Sequence, residues 1–583
     1  MAGVSAAVWL IGLLAAAPVL QNGARAPAAD RVRDALVLGV AIPFALGLVG
    51  LLYPAACWIA LAGCAALAYR RGGFVKRDGV PAQPAPYLLI GAIAVVAWPP
   101  LMRPVLDGDS LSYHLPNAAA WVHAHGLWTT DGRYWWYPPA SELFASALFA
   151  VSGPFALPWS GAAALALAGL RIWTWARAEF AAPAWLADAL AAATVTAAPL
   201  AFQAGSLQND VWLAAFFLEA LWTLRRDPAA GARTAAVTAL LKPYGFLLAI
   251  VAALSGKAQR NVWLAAIGAF AIWAVHDALL WRSAIVAPAS TSSANTWSST
   301  IAAHGLPALG LLANVTLHAS PFALLALIAA AAAPFAPHAD RRLGWAALAT
   351  VVLFLVMPLA YADTMPQLAT GASLRYAAPS IALGALLLTP LAGRMPRVAA
   401  ALLMLSAAFG AAAVLAVFWN DAPTRIAVPF ALIAAGNVAL ARRLRAPWQI
   451  PAGVGIAIVV TSVLAARYPL AYYTDALRID GRATGAYAWI ARTQPRAIGG
   501  WGLKLGAVNA LAPAARTVDL PDSDPCAAAR ANGVLLVAVA EGTRSPGFNA
   551  ARLKAARACG RIRFDDGLAV VAGDLRAGGR PPR

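Results

Sequence analysis

Charge is what this sequence has least of. Only 12% of its 583 residues are Asp, Glu, Lys or Arg, about half the share of a soluble domain. A chain so poor in charge and 61% hydrophobic cannot clothe itself in a water-facing surface, which excludes an ordinary soluble globule. Cysteine is scarce as well, with four residues. Cys57 and Cys64 lie inside an apolar run, where thiols act as small packing groups. Cys526 and Cys559 lie in a polar C-terminal part, where a disulfide joins them if that part faces an oxidising compartment. Cys/His spacing of the metal-binding kind is missing. So is a phosphate-cradling glycine fingerprint: Gly499-Gly500-Trp501-Gly502 is too loose to be one.

What the chain has instead is apolar length. Its mean hydropathy is +0.67, and it holds 22 Trp. Apolar runs recur, for example over residues 35–52, 185–202, 262–280 and 398–418. Each is near the ~20 residues that a helix needs to cross a hydrocarbon core, and only helices satisfy their own backbone repeatedly in lipid. The expected fold is an all-α polytopic membrane protein of about 14–16 transmembrane helices, with a small C-terminal α/β soluble domain. The first run, residues 4–20, lacks a basic leader and a clear cleavage site and reads as a retained helix.

The net charge of +19 would suggest nucleic acid on a soluble protein. Here the basic residues cluster in short segments between apolar runs, the pattern of cytoplasmic loops, and nucleic acid is excluded as a partner. The clusters are Arg25/Arg31/Arg33, Arg70/Arg71/Lys76/Arg77, Arg225/Arg226/Arg233, Lys257/Arg260, Arg341/Arg342, Arg394/Arg397 and Arg442/Arg443/Arg445. The segments 103–140, 205–209, 283–304 and 362–376 then fall on the outer side, with everything from residue 472 onward. This divides the chain into N-terminal helices (1–83), a main transmembrane region (84–471) with a first outer loop (103–140), and an extracytoplasmic α/β domain (472–583). Arg233 and Lys257 share a side although one normal helix separates them. Lys242-Pro243 breaks that helix, giving half-helices over 234–241 and 244–254 with Lys242 at the outer apex. Residues 141–176 must cross an odd number of times and are expected to form one crossing broken at Pro154 and Pro158. In the tail, 497–501, 533–539 and 568–571 read as strands, and 482–492, 526–531 and 550–558 as helices.

The chemistry-bearing stretch is 106–142. It opens Asp107-Gly108-Asp109-Ser110-Leu111-Ser112-Tyr113-His114-Leu115-Pro116 and ends Tyr134-Trp135-Trp136-Tyr137-Pro138-Pro139-Ala140-Ser141-Glu142. Asp107 and Asp109 act as bases if desolvation raises their affinity for protons. Alternatively they hold a divalent cation, or they only cap the helix that follows. His114 is either a ligand-facing or a packed histidine. Trp135, Trp136 and Tyr137 stack on a sugar or anchor the loop at the lipid–water boundary. Ser290-Thr291-Ser292-Ser293 marks a polar outer loop that serves as a lid or an idle linker.

Asp-x-Asp-Ser-Leu-Ser-Tyr-His-Leu-Pro followed by Tyr-Pro-Pro and Glu-Leu resembles the first outer loop of GT-C glycosyltransferases, the superfamily of the lipid A aminoarabinose transferases and the protein O-mannosyltransferases. Three later elements agree in order: Gln208-Asn209-Asp210, Leu241-Lys242-Pro243-Tyr244-Gly245, and Leu374-Arg375-Tyr376 with Pro379. The first loop lacks the Asp-Glu pair and the Lys-Pro-Pro of those two enzyme groups. The resemblance implies an inverting transfer, on the outer face of a bacterial inner membrane, of a sugar from a polyprenyl-phosphate carrier to a hydroxyl of a glycan, lipid or protein. Asp109 is then the first choice of base and Asp107 the second. Lys242, Arg375, Tyr376, Asp210, His114 and Tyr137 bind substrate or phosphate. No cofactor is required; Mg or Mn would enter with a diphosphate donor. A multispanning transporter of a lipid-linked or small substrate is the alternative. It should show internal repeats, and none is evident.

Overall fold

The computed structural model describes residues 2–21, 27–71, 86–101, 104–105, 107–132, 136–256, 260–281, 300–336, 340–357, 373–418, 484–540 and 546–575. Trp135, Arg25, the Lys76/Arg77 pair, Lys257, the 290–293 loop and the cluster at Arg442/Arg443/Arg445 lie outside the described residues, as does most of 362–376.

The chain is a polytopic helical membrane protein carrying a small α/β domain. Among the described residues five helices are long and apolar enough to span a bilayer: Pro154–Ala178, Arg260–Leu280, Ile301–Ala319, Leu374–Ala392 and Pro396–Ala416. Seven shorter apolar helices accompany them among the described residues. Burial separates inner from outer members. Pro154–Ala178 is 72% buried, whereas Pro396–Ala416 is 22% buried, so the latter turns its apolar face to lipid.

Among the described residues, the basic segments around Arg71, Arg225/Arg226, Arg233 and Arg341 meet at one end of the bundle. Arg71 and Arg233 donate to the carbonyls of Val19 and Leu20. Arg225 pairs with Asp340 at 2.6 Å, and Arg226 with Glu179 at 3.2 Å. Arg33 departs from the expectation of a water-facing loop. It lies on the Ala28–Leu48 helix and is buried with Asp34. It belongs to a charge cluster joining three helices: Asp30, Arg33 and Asp34, then Arg171 of Trp159–Ala178, then Glu219 of Asp210–Thr223. Arg171 and Glu219 are fully buried and share two hydrogen bonds of 2.7 Å, and Arg171 also pairs with Asp30. Charges at this depth are tolerated only as partners of one another.

At the opposite end, Pro228–Ala239 and Pro243–Ser255 form the two expected half-helices around Lys242. Lys242 itself is extended, and Pro243 starts the returning helix where a missing N–H costs nothing. The orphan carbonyls of the first half-helix are satisfied from outside: the Ala140 N–H donates to Leu240 and Asn209 Nδ2 to Leu241, both at 2.8 Å.

The segment 141–176 differs from expectation. Ala140–Ser152 begins beside Leu240. The next long helix, Trp159–Ala178, also begins at this end, where Ser160 accepts from Trp212 at 3.1 Å. Ala140–Ser152 therefore starts and finishes at the same end, and Trp159–Ala178 alone makes the crossing. The physical reason is length: thirteen residues reach about 20 Å, short of a ~30 Å core. The reversal falls at Gly153, whose φ of 76° suits a residue without a Cβ.

The C-terminal unit is a five-stranded sheet of order β2-β1-β3-β5-β4. The strands are β1 (Ala497–Trp501), β2 (Arg516–Asp519), β3 (Leu535–Val539), β4 (Arg561–Asp565) and β5 (Ala569–Gly573). β1 runs parallel to β2 and β3, and β5 is antiparallel to β3 and β4. Alternation sorts the core into two faces. Val537, Val539 and Val571 pack with Tyr487, Ile490 and Val508 of Thr484–Thr493 and Leu505–Leu511. Leu536, Ala538 and Val570 pack with Ala529 and Leu553 of Pro525–Ala531 and Pro546–Cys559. Cys526 and Cys559 are joined across this second face, 33 residues apart, a closure worth about 3–4 kcal/mol by chain entropy.

Two outcomes are expected. Arg171→Leu leaves buried Glu219 with only Arg33, 4.0 Å away, and lowers stability by about 3 kcal/mol; Arg171→Leu/Glu219→Leu recovers most of it, as read by thermal unfolding in detergent. His123 is held below its ordinary 6.5, first by burial and then by His125, against opposing contributions from Pro513 and Asp131. A depressed histidine resists protonation in the folded state, so stability holds above pH 6.5 and declines as pH falls below it. His123→Gln should flatten the melting temperature between about pH 5 and 7.

Candidate active site

The site assembles where four separated segments end. Asp210 opens the Asp210–Thr223 helix, placed there because Gln203 accepts from the Val211 N–H at 2.9 Å and is itself tied to Pro199. Lys242 stands at the half-helix apex. Arg375 and Tyr376 lie in the turn that starts Leu374–Ala392. Asp109 immediately precedes the Ser110–His114 turn.

Asp210 is the hub. Its side chain is 1% exposed. It is paired with Lys242, accepts from the Tyr244 hydroxyl at 2.9 Å, and faces Arg375 Nε at 3.6 Å. Arg375 is also paired with Asp109 and donates to the Tyr376 hydroxyl at 3.1 Å. Lys242 lies 4.8 Å from the Tyr376 ring centre and 5.6 Å from that of Tyr244, within cation–π range. Two acids and two bases thus form one neutral circuit, running from Lys242 through Asp210 and Arg375 to Asp109. Asp109 is its accessible member, with 36% of its side chain exposed. A carboxylate facing water beside a guanidinium and an ammonium can accept a proton from an incoming hydroxyl while the two cations hold an anion.

Asp107 goes elsewhere. It caps the following turn, accepting from Ser110 N at 2.9 Å and Gln208 Nε2 at 3.2 Å. Asp107 and Asp109 therefore hold different partners. Among the described residues no three His, Cys, Asp or Glu side chains gather as a metal group, and Asp109 already carries a guanidinium. This donor set does not fit Mg or Mn, which want several oxygen ligands.

The turn Ser110–His114 is closed by a hydrogen bond from Leu115 N–H to Ser110 C=O, a π turn. An α-helix would set Asp109 and His114 about 140° apart around its axis; the wider π turn brings them toward a common face. His114 is buried, and its Nδ1 meets Glu142 Oε1 at 2.5 Å, while Ser141 donates to Glu142 at 2.8 Å. Tyr113 covers His114 with rings 4.0 Å apart and meets Tyr137 edge-on at 6.2 Å. Burial first, then Asp109, pushes the Tyr113 phenol well above its ordinary range, so it stays protonated beside the circuit. Ser110 locks the turn to the Gln208 loop through Ser206 at 3.3 Å and Leu207 N at 2.9 Å.

Of the residues singled out from sequence, Asp109, Asp210, Lys242, Arg375 and Tyr376 come together. His114 and Tyr137 stand one side chain away, and Asp107 serves the turn. Trp136 anchors its loop, with its carbonyl accepting from Trp273 at 3.1 Å. Tyr244, Tyr113 and Glu142 were not singled out. Each sits inside a motif that was; the partners of Tyr244 and Glu142 are remote in sequence, and Tyr113 meets its neighbour His114 and the distant Tyr137 only through the fold.

No family model and no curated protein matches the chain. It is similar to a crystal structure of ArnT from Cupriavidus metallidurans bound to undecaprenyl phosphate, at 16% identity over 85% of this chain and 99% of that one, with a TM-score of 0.49. It is also similar to ArnT from the same organism in the apo state, at 16% identity over 84% and 98%, with a TM-score of 0.47.

Lys242→Met should cost about 3 kcal/mol, because it leaves Asp210 buried with an incomplete set of cations. Lys242→Met/Asp210→Asn should be the more stable of the two variants in a thermal melt; equal melting would mean the pair is not buried as described.

Proposed function

We propose that this protein transfers a sugar from a polyprenyl-phosphate carrier to an acceptor hydroxyl at the extracytoplasmic face of a bacterial inner membrane. The supporting observation is the circuit of Asp109, Asp210, Lys242 and Arg375 at the bundle end opposite the basic segments. The carrier's lipid tail stays among the helices, and its phosphate takes the position between Lys242 and Arg375, where charge-assisted bonds are strongest. In doing so it competes with Asp109 for Arg375 and frees that carboxylate.

The step then balances as an inverting displacement. Asp109 takes the proton of the acceptor hydroxyl. The oxygen bonds to the anomeric carbon from the face opposite the phosphate, and the bond from that carbon to the phosphate oxygen breaks. The electron pair leaves with the lipid phosphate, whose growing charge Lys242 and Arg375 neutralise. Asp210 keeps both cations aimed, and Tyr376 and Tyr244 border them. Tyr113 and Tyr137 offer ring faces to the sugar.

The test uses the whole protein in nanodiscs, with undecaprenyl phosphate as the binding probe and polyprenyl-phosphate sugars from a bacterial membrane extract as donors. Asp109→Asn should bind the probe at least as well as wild type, yet release it from the donors about 10²–10⁴-fold more slowly. Lys242→Met and Arg375→Met should each weaken binding roughly tenfold or more. Wild-type release by Asp109→Asn would remove the base, and unchanged binding by both cation variants would remove the phosphate position.

A further inference from the structure

The C-terminal domain touches the membrane region at the turn that bears Asp109. Four contacts join the two parts, two at the turn and two beyond it. Gly506, in the Leu505–Leu511 helix, lies against the backbone of Leu111, and a Cβ there would stand 2.7 Å from Leu111 Cα and from its carbonyl oxygen. The Leu111 side chain, 1% exposed, belongs to the domain's own apolar core with Tyr487, Ile490, Leu505 and Val508. Beyond the turn, Arg516 grips Asp131 with two hydrogen bonds of 2.6 and 3.0 Å, and His123 Nε2 donates to the Pro513 carbonyl at 2.7 Å.

Leu111 sits two residues after Asp109 and three before His114, inside the π turn. That turn is fixed from the membrane side by Ser206 and Gln208. A π turn is seldom stable alone and is common at functional sites. Leu111 supplies the second point of support.

We propose that the C-terminal domain is a working part of the site rather than an appendage: it seats Leu111 in its core and so holds the Ser110–His114 turn in the register that directs Asp109 at Arg375. Leu111, Gly506, Arg516 and Asp131 are positioning residues, and none of them touches substrate. The loop geometry stands independently of the transfer reaction, whereas the effect on turnover rests on the function proposed above.

The experiment uses the full chain in nanodiscs and two readouts: hydrogen exchange of the 107–123 segment, and release of undecaprenyl phosphate from the lipid-linked sugars. Leu111→Ala should raise exchange across 107–114 on the order of tenfold. It should slow kcat by a similar factor with KM for the donor nearly unchanged, because the cations that bind phosphate lie on other segments. Since Leu111→Ala also removes a side chain from the domain's own core, the ion pair supplies a second test. Arg516→Glu and Asp131→Arg should each raise exchange about threefold, and Arg516→Glu/Asp131→Arg should restore both exchange and kcat. Unaltered exchange at 107–114 in all three single variants would overturn the proposal. So would raised exchange with wild-type kcat. If the wild-type protein releases no undecaprenyl phosphate, the transfer reading fails, and the exchange arm with its charge-swap rescue still decides whether the domain holds the turn.

Discussion

A carboxylate at Asp210, with 1% of its side chain exposed, is stable only because cations from two other segments are brought to it. That requirement shapes the end of the bundle where it lies. The half-helix break at Lys242-Pro243 exists where an unbroken helix would carry the ammonium past Asp210. The Arg375 turn precedes a membrane helix instead of continuing it. Asp109 closes the charge count, so that four ionised groups lie together without net charge. Such a set is costly to bury piecemeal and ready to exchange one anion, the accessible Asp109, for another.

The other buried charge cluster, around Arg171 and Glu219, marks the contrast. Its central pair lies among three helices with both residues fully buried, only Asp30 at its edge is partly exposed, and it ties the bundle together at the basic end. The circuit at Asp210 has an exposed member and an aromatic border. Similar side chains thus serve packing at one end and, in the function proposed above, chemistry at the other.

Much of this was legible in the sequence because its signals are local. Lys242-Pro243 interrupts an apolar run and does form an apex. Strand β1 falls where its residues suggested, and among the described residues the charge bias groups Arg71, Arg225 and Arg233 at one end and Asp109, Asp210, Lys242 and Arg375 at the other. The failures have physical causes. Ala140–Ser152 looks like half of a crossing because its composition is apolar; only its contacts at both ends reveal that it stays on one side. β2 is four residues with charge at both ends, and β4 is a largely exposed edge strand, so neither shows a clear apolar alternation. The pairing of His114 with Glu142 spans 28 residues, and the π turn depends on support from a domain nearly 400 residues away. Neither has a periodicity to read. Asp107 and Asp109 look equivalent in sequence, and the fold separates them into a cap and a circuit member.

The central claim is that the cations around Asp210 receive a lipid-linked phosphate. The most direct measurement is a cryo-EM map of the protein in nanodiscs saturated with undecaprenyl phosphate. Phosphate density is expected within hydrogen-bonding distance of Lys242 Nζ and the Arg375 guanidinium, with Asp109 turned away from Arg375. Density for the phosphate at any other place on the bundle, with the Asp109–Arg375 pair intact, would contradict it.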